Sequence, residues 1–437
     1  MKYVSTRGKA PAVGIGDAIR NGAAPDGGLY MPERVPEIDL EALRGHNSLP
    51  EFAARFLAPF FEGDPLAADL AKICREAFDF PVPLVTPDPA RPELHVLELF
   101  HGPTGAFKDF GARFLMACFD RLGDPEHPLT VLVATSGDTG GAVGCAAEGR
   151  AAVQAAILYP RGRVSPFQEL QLTCWNDPVR AIEVEGDFDD CQRLVKAAFA
   201  DRDLSAALRL TSANSINIGR LLPQAAYLSF AAMRLFDETG TPPGFVIPTG
   251  NLGHGFAAVL ARFAGVPIGP IVAVTNANRT LVDWHRNGVY APSPSLATIA
   301  NAMDVGTPSN FERLVHLPEE ARRISVEQVD DDTIRARIKL EHARSGYVWD
   351  PHSATAAEAY ARMTAAERGG RAWIAAATAH PYKFAEVVEP VIGAGITPPP
   401  ALEAILGRKA HKVTIEPSSE ALSEALRAAF GAAHTVA

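Results

Sequence analysis

The sequence predicts an α/β fold built on largely parallel sheets, preceded by a mostly helical N-terminal domain. From residue 95 onward, short apolar runs that suit strands alternate with amphipathic runs that suit helices. Glycine-rich segments stand at several of the strand-to-helix junctions. A chain of 437 residues, 47% of them hydrophobic, can bury a large core and divide into two or three domains.

The N-terminal part, up to about residue 90, mixes loops with helices. Apolar residues recur at helical spacing over residues 51–61 and 66–78, and a proline-rich connector follows at 81–92. The residues before number 30 contain several glycines and prolines, which suits an extended arm across another surface. We expect a structural role for this region.

The remaining chain alternates between the two kinds of run. Strands are predicted at residues 129–134, 155–159, 179–184, 245–248, 271–275 and 373–377. Helices are predicted at residues 107–121, 166–175, 189–200, 220–236, 257–264 and 333–345. This order favours parallel strands joined by helical crossovers.

Charge and composition exclude several classes of protein. The net charge is −10, acids and bases are interspersed, and no basic block indicates a nucleic-acid or membrane partner. No signal peptide or membrane-spanning run is present, so we expect a cytoplasmic protein. The five cysteines lack C-x-x-C spacing and the twelve histidines lack ligand pairs, so no metal is expected.

The candidate catalytic residue is Lys108, which stands where a strand-like run gives way to a helix after Gly102-Pro103. Phe107 and Phe110 flank it, and an apolar setting lowers the pKa of a lysine. A neutral amine is a nucleophile toward carbonyls, including an aldehyde cofactor held as a Schiff base. A lone lysine in a first helical turn would by default simply reach solvent.

The surrounding motif resembles a known family. His101-Gly-Pro-Thr-Gly-Ala-Phe-Lys108-Asp-Phe-Gly is similar to the pyridoxal-phosphate lysine motif of threonine synthases, specifically their long form with an N-terminal extension. Further similar blocks follow in the family's order: 3–8, 24–30, 135–140, 158–162, 212–217, 250–253 and 378–381. The resemblance therefore covers nearly the whole chain.

The resemblance implies a fold type II pyridoxal-phosphate enzyme, similar to the tryptophan synthase β subunit, with two α/β domains of largely parallel strands. The implied domains are an N-terminal helical domain at 1–94, a large cofactor domain at 95–114 and 216–437, and a small mobile domain at 115–215. Lys108 would hold pyridoxal 5'-phosphate. The implied assembly is a monomer or a small homo-oligomer.

The resemblance also implies the other cofactor contacts. Glycines in a strand-to-helix turn let the backbone approach a phosphate, and free helix amides point at the anion. The implied phosphate cradle consists of Gly250, Asn251, Leu252 and Gly253. The family commonly has an acid where this chain has His254, so the outer contact of the loop is open. Thr378 would face the ring nitrogen of the cofactor.

Two further loops are implied to bind the substrate. The first would hold its α-carboxylate through Ser136, Gly137, Asp138 and Thr139, which also suit a helix N-terminal cap. The second would hold its phosphate group through Asn214, Ser215 and Arg220, because an arginine can donate two parallel hydrogen bonds to a phosphate.

The implied reaction is the conversion of O-phospho-L-homoserine and water to L-threonine and phosphate, with Lys108 moving protons. One alternative is a lyase of the same fold that releases 2-oxobutyrate. Another is a non-catalytic phosphate- or amino-acid-binding protein on a degenerate scaffold. A nicotinamide-dependent oxidoreductase is disfavoured, because no G-x-G-x-x-G follows a strand with an acid about twenty residues on.

Overall fold

The computed structural model describes residues 1–135 and 137–431, and Ser136 and residues 432–437 lie outside this description. The strands are β1 (Tyr3–Ser5), β2 (Tyr30–Pro32), β3 (Leu84–Val85), β4 (Leu94–Glu98), β5 (Leu129–Ala134), β6 (Val153–Pro160), β7 (Val179–Val184), β8 (Leu210–Thr211), β9 (Gly244–Pro248), β10 (Ile271–Thr275), β11 (Ser325–Gln328), β12 (Trp373–Ala377) and β13 (Val413–Ile415).

The α-helices connect and cover these strands. They are α1 (Ile15–Asn21), α2 (Leu49–Leu57), α3 (Leu70–Ala77), α4 (Lys108–Leu122), α5 (Asp138–Ala147), α6 (Pro166–Thr173), α7 (Phe188–Ala200), α8 (Arg202–Ala207), α9 (Ile218–Thr239), α10 (Gly253–Phe263), α11 (Thr280–Asn287), α12 (Phe311–His316), α13 (Asp331–Ser345), α14 (Pro351–Arg362), α15 (Ala365–Arg368), α16 (Ala385–Ile392), α17 (Pro400–Leu406) and α18 (Ser419–Phe430).

Two sheets of mainly parallel strands carry the α/β part. The larger has the order β11-β10-β9-β12-β4-β3, parallel except for the β3–β4 pair, and the smaller has the all-parallel order β13-β7-β6-β5-β8. Every residue of β5, β9, β10 and β12 is buried. Parallel strands covered by helices on both faces have this continuous apolar composition.

Helix α9 forms the centre of the fold. It packs against α4, α10 and α2, so it joins the segment of Lys108, the 250–253 loop and the N-terminal region. Most of its length is buried, including Arg220 in its first turn. A helix buried all round has no room for a polar face, which explains its run of alanine, leucine and aromatic residues.

The predicted strands agree with the structure to within two residues at each end. The N-terminal helices are shorter than predicted, because Pro59 and Pro65 lie in the 3-10 turns Ala58–Phe61 and Pro65–Ala68. Helix α10 begins at Gly253, four residues before the predicted start, since Gly253 and Gly255 obscured its first turn. Within the described ranges, no helix is long and apolar enough to cross a membrane.

The division into domains stays a prediction, but the C-terminal segment differs from it in one respect. The expectation assigned residues 216–437 to the large domain. In the structure β13 pairs with β7 in the smaller sheet, and α18 packs on α7. The chain therefore returns to the region of residues 115–215 before it ends.

Candidate active site

Lys108 is the first residue of α4, and a tightly bonded loop holds it there. The backbone N–H and the hydroxyl of Thr104 donate to the Asp109 carboxylate at 2.9 and 2.6 Å. The N–H of Phe107 donates to the carbonyl of Thr378 at 2.8 Å, which fixes the loop to the end of β12. The side chain of Lys108 therefore starts from a defined point beside the larger sheet.

The Lys108 amine is free for chemistry. Its Nζ lies 4.8 Å from the centre of the Phe107 ring, and it makes no hydrogen bond or ion pair with any residue that the structure describes. Burial lowers the pKa of Lys108; Arg220 and Lys383 lower it further, whereas Asp138 and Asp350 oppose the shift. The neutral amine is thus favoured relative to an exposed lysine.

The 250–253 loop connects β9 to α10 and turns sharply. Leu252 has a φ of 59°, in the left-handed region, and a Cβ at Gly250 would lie 2.7 Å from the Cα of Met303. The side chain of Asn251 donates to Ser215 Oγ at 2.5 Å and accepts from the N–H of Ser309. The first amides of α10 have no acceptor within the helix, so they can bind an anion.

His254 connects the start of α10 to the helix of Lys108. Its ring stacks on Phe107, with 4.8 Å between the ring centres, and meets the edge of Tyr227 at 5.7 Å. Both ring nitrogens are buried and unpartnered within the described structure. Burial, assisted by Lys108, lowers the pKa of His254 to about 3. The imidazole is therefore neutral and serves in packing.

Thr378 lies buried at the end of β12, held by the start of α14. Its N–H donates to Ser353 Oγ at 2.8 Å, and the two hydroxyl oxygens are 3.5 Å apart. Ser353 Oγ in turn donates to Asp350, which caps α14. Sequence reasoning missed Ser353 and Asp350; the signal was the Asp350-Pro351 pair, which is typical of a helix start.

The loop at 135–139 leads from β5 into α5. Thr135 Oγ1 accepts from the N–H groups of Gly137 and Gly140 at 3.0 Å, and Gly137 has a φ of 143°. Asp138 Oδ1 lies 3.2 Å from Gln168 Nε2 and 3.3 Å from Lys383 Nζ. Thr139 is half-buried, and the predicted Ser136 lies outside the described residues.

The third predicted loop, 212–220, places Arg220 beneath two half-buried polar residues, Asn214 and Ser215. The guanidinium of Arg220 donates to the carbonyl of Ala213, while its buried Nε has no partner among the described residues. Burial lowers the pKa of Arg220 to about 10, so it stays charged at neutral pH. A Cβ at Gly111 would lie 2.8 Å from this Nε, so α4 and Arg220 require the glycine.

Sequence reasoning missed Arg313, a fully buried arginine in α12. It donates to the carbonyls of Tyr30 and Ser215 at 3.2 and 3.3 Å, and to Ile216 and Asn310 at 2.6 Å each. Arg313 thereby links Tyr30 of the N-terminal region to the backbone of the 212–220 loop. An arginine within a short amphipathic helix gives no signal of burial in the sequence.

The structure thus brings the described predicted residues into one region around Lys108. Thr378 accepts a hydrogen bond from Phe107 in the loop before Lys108, and His254 at the start of α10 stacks on the same Phe107. The charges of Asp138 and Arg220 shift the pKa of Lys108. The free amine and the helix amides at Gly253 fit an aldehyde cofactor with a phosphate group, and the unpartnered Arg220 Nε fits a second phosphate, that of a substrate. The role of each residue stays a prediction.

Comparison with known proteins identifies the class. A family model described as pyridoxal-phosphate dependent enzyme matches residues 80–377, which contain Lys108 and Gly250–Gly253 and end one residue before Thr378. The chain therefore belongs to the pyridoxal-phosphate-dependent enzymes, and the predicted cofactor and fold type are confirmed.

Two more family models specify the family. Threonine synthase N terminus matches residues 2–78, and threonine synthase, C-terminal matches residues 353–426. The chain belongs to the threonine synthase family. The resemblance drawn from the motifs, including the long form with its N-terminal region, is confirmed.

Individual relatives agree over almost the full length. The threonine synthase of Serratia marcescens is 37% identical over 411 residues, which cover 92% of this chain and 93% of the relative. The crystal structure of threonine synthase from Escherichia coli has a TM-score of 0.88 at 33% identity and covers 98% of this chain and 100% of its own. A threonine synthase from Brucella melitensis, solved with pyridoxal phosphate bound, has a TM-score of 0.90 at 35% identity and covers 99% and 100%.

Proposed function

We propose that this chain converts O-phospho-L-homoserine and water to L-threonine and phosphate, with Lys108 as the proton-transferring residue. The observation that carries the proposal is the position of Lys108. Its buried amine has no hydrogen bond or ion pair with the described residues and lies beside the Phe107 ring, and the charges of Asp138 and Arg220 shift its pKa in opposite directions. A substrate with a carboxylate at one end and a phosphate at the other matches two such loops.

Pyridoxal phosphate would be held by Lys108, by the Gly250–Gly253 loop and by Thr378. When bound, it supplies an electron sink that lowers the cost of removing protons from the carbons next to the substrate amine. The chain's own residues then decide which proton moves and which group leaves.

Lys108 is the base and acid of the proposed mechanism. A buried amine with a lowered pKa is neutral in a larger fraction of molecules than an exposed lysine, and the neutral amine can take a proton from the α-carbon. The same amine can return a proton later, because no protein acceptor within the described residues competes for it. Its place beside the Phe107 ring limits the directions in which the proton can travel.

Arg220 binds the substrate phosphate in this proposal, with Asn214 and Ser215 as neutral partners. An arginine fork gives strong, oriented hydrogen bonds to phosphate, and the unpartnered Nε of Arg220 offers a donor in a buried setting. The bond between Asn251 and Ser215 links this site to the 250–253 loop. Retention of the released phosphate here would let it act as the base that activates the added water.

The 135–139 loop binds the substrate carboxylate in this proposal, through N–H groups at the start of α5. The Asp138 side chain is not the donor, because its Oδ1 already accepts from Gln168 and lies beside Lys383. The backbone N–H groups of Asp138 and Thr139 would therefore carry the predicted contact, whereas the N–H of Gly137 already donates to Thr135 Oγ1.

The test is to incubate the purified protein, loaded with pyridoxal phosphate, with O-phospho-L-homoserine and to assay phosphate, threonine and 2-oxobutyrate. We expect threonine in step with phosphate. Phosphate with 2-oxobutyrate would instead indicate a lyase in which water does not add. Absence of phosphate would overturn the substrate assignment.

The small-molecule substrate fits a chain without a membrane-spanning helix in its described ranges. We further propose a cytoplasmic enzyme that is a monomer or a small homo-oligomer and binds no nucleic acid. Size-exclusion chromatography with light scattering tests the assembly state. A large oligomer would contradict it.

A further inference from the structure

A second buried lysine, Lys383, lies beside the site. It stands in the 3-10 turn Pro381–Phe384, five residues after Thr378, and its side chain has no exposed surface. Its Nζ donates to the Thr104 carbonyl at 2.8 Å and to Gln171 Oε1, and it lies 3.3 Å from Asp138 Oδ1. The ammonium therefore makes two hydrogen bonds, to Thr104 and Gln171, and one ion pair, with Asp138.

These acceptors belong to different parts of the molecule. Thr104 is in the loop that leads to Lys108, Gln171 is in α6 and Asp138 begins α5. Gln171 Nε2 also donates to the Thr104 carbonyl, at 3.0 Å. One ammonium thus joins the Lys108 segment to α5 and α6, two of the helices that follow strands of the smaller sheet.

Asp138 explains why a charged group is needed at this position. Burial alone would raise the pKa of Asp138, but the charges of Lys383 and Lys108 hold it well below its usual range. The carboxylate is therefore ionised at the start of the helix whose amides would hold the substrate carboxylate. Left uncompensated, this negative charge would repel that substrate.

We propose that Lys383 is a positioning residue that neutralises Asp138, so that the 135–139 loop can accept the carboxylate of an amino-acid substrate. The proposal rests on the proposed function, since it takes this loop to be the carboxylate site. Lys383 does not act on the reacting atoms in this proposal, because its buried ammonium is held by hydrogen bonds to Thr104 and Gln171 and by the ion pair with Asp138.

The experiment combines two neutralising substitutions, Lys383→Met and Asp138→Asn, singly and together. Lys383→Met leaves Asp138 uncompensated, so we expect its KM for O-phospho-L-homoserine to rise about 30-fold or more. The double variant K383M/D138N removes both charges, so its KM should return to within about 5-fold of the wild type. Lys383→Arg keeps the charge and should fall between the two.

Thermal unfolding of the cofactor-free protein gives a second readout. The single variant K383M should unfold at a lower temperature than the wild type, and the double variant should recover most of the difference. If K383M does not fold, recovery of folded protein by adding Asp138→Asn is the expected result. Lys412→Met is the matched control: Lys412 contacts Glu169 and Glu183 at the surface of the same sheet, and its loss should leave KM unchanged.

The outcomes separate this inference from the proposed function. A wild-type protein that makes no threonine overturns the proposed function. An active wild type whose K383M variant keeps its KM, or whose double variant has a KM no lower than that of K383M, overturns the inference, because a merely structural ion pair would let Asp138→Asn restore stability without restoring KM.

Discussion

The two loops predicted to bind substrate differ in whether their buried charges are compensated by an ion pair. In the 135–139 loop, Asp138 is buried beside Lys383 at 3.3 Å, so the two charges compensate. In the 212–220 loop, Arg220 is buried without a carboxylate at ion-pair distance among the described residues. The same holds for Arg313 of α12, which donates to the loop carbonyls of Ser215 and Ile216. A neutral loop suits a singly charged carboxylate held by amides, whereas uncompensated positive charge suits a phosphate.

The sharpest test of this comparison is Lys108, whose pKa is shifted by the charges of both loops. Lys108→Ala removes the proposed base, so threonine formation should fall about 10³-fold or more. Binding of inorganic phosphate, measured by calorimetry, should persist because the 212–220 loop is untouched. Unfolding should change by less than about 1 kcal/mol, since Lys108 makes no hydrogen bond or ion pair with the described residues.

The control for this prediction is Lys339→Ala, which removes an exposed lysine from α13. It should leave both activity and phosphate binding unchanged. Full activity of Lys108→Ala would contradict the role of Lys108 and with it the view that the two loops serve one reacting centre.

Removing the support below the 212–220 loop should have the next largest effect. Arg313→Lys replaces the guanidinium by one ammonium, which cannot reach all the acceptors of Arg313. At least one of the carbonyls of Tyr30, Ser215 and Ile216 would then lose its donor. We expect the free energy of unfolding in urea to fall by about 2–3 kcal/mol. KM should rise as well, because Ser215 loses its fixed position.

Arg323→Lys, at an exposed position shortly after α12, provides the comparison for Arg313→Lys and should leave stability unchanged. If Arg313→Lys is as stable as the wild type, then the N-terminal arm is not coupled to the 212–220 loop through this arginine.

Arg220→Met tests the positive loop directly. Loss of the guanidinium should lower kcat/KM for O-phospho-L-homoserine about 10- to 30-fold and weaken inhibition by phosphate to a similar extent. Stability should not fall, because the variant removes a buried charge with an unpartnered Nε. Arg220→Lys, which keeps the charge but loses the fork, should be intermediate.

Arg234→Met is the control on the same helix, where the arginine is exposed and lies against the Phe230 ring. Equal phosphate inhibition in Arg220→Met and the wild type would show that the uncompensated charge of Arg220 does not bind the anion.

The two loops also differ in how far the sequence predicts them. Strand-to-helix junctions at Lys108, Gly137 and Gly253 follow from local patterns, because apolar strands, glycines and helix starts leave signals within a few residues. Lys383 and Arg313 leave no such signal. Their partners are Thr104, Gln171, Asp138, Tyr30 and Ser215, which are 98 to 283 residues away in the chain.

Charge compensation is therefore the part that local patterns do not predict. The sequence motif identified Asp138 and Arg220 as polar residues of binding loops, but whether each is neutralised depends on which distant residue packs against it. The same holds for the pairing of β13 with β7, since a strand of three residues near the C-terminus has too short a pattern to indicate its partner.

The smallest predicted effect concerns His254, the neutral residue in the first turn of α10 that stacks on Phe107 beside the proposed phosphate cradle. Its folded-state pKa of about 3 lies below the usual 6.5, so below pH 6.5 the unfolded chain binds a proton that the folded chain excludes. His254 thus costs stability as the pH falls. Between pH 7.5 and 5.5 this cost grows by about 1 kcal/mol.

His254→Phe keeps the stacking on Phe107 and removes both unpartnered nitrogens. Its free energy of unfolding should equal or exceed that of the wild type at pH 7.5, and the advantage should grow by about 1 kcal/mol at pH 5.5. The exposed His285→Gln serves as the control and should follow the wild type at both values. A wild-type protein that loses no more stability than His254→Phe over this interval would mean that His254 is protonated in the folded state. The proposed phosphate cradle at 250–253 would then have a positive charge next to it, as the 212–220 loop has in Arg220.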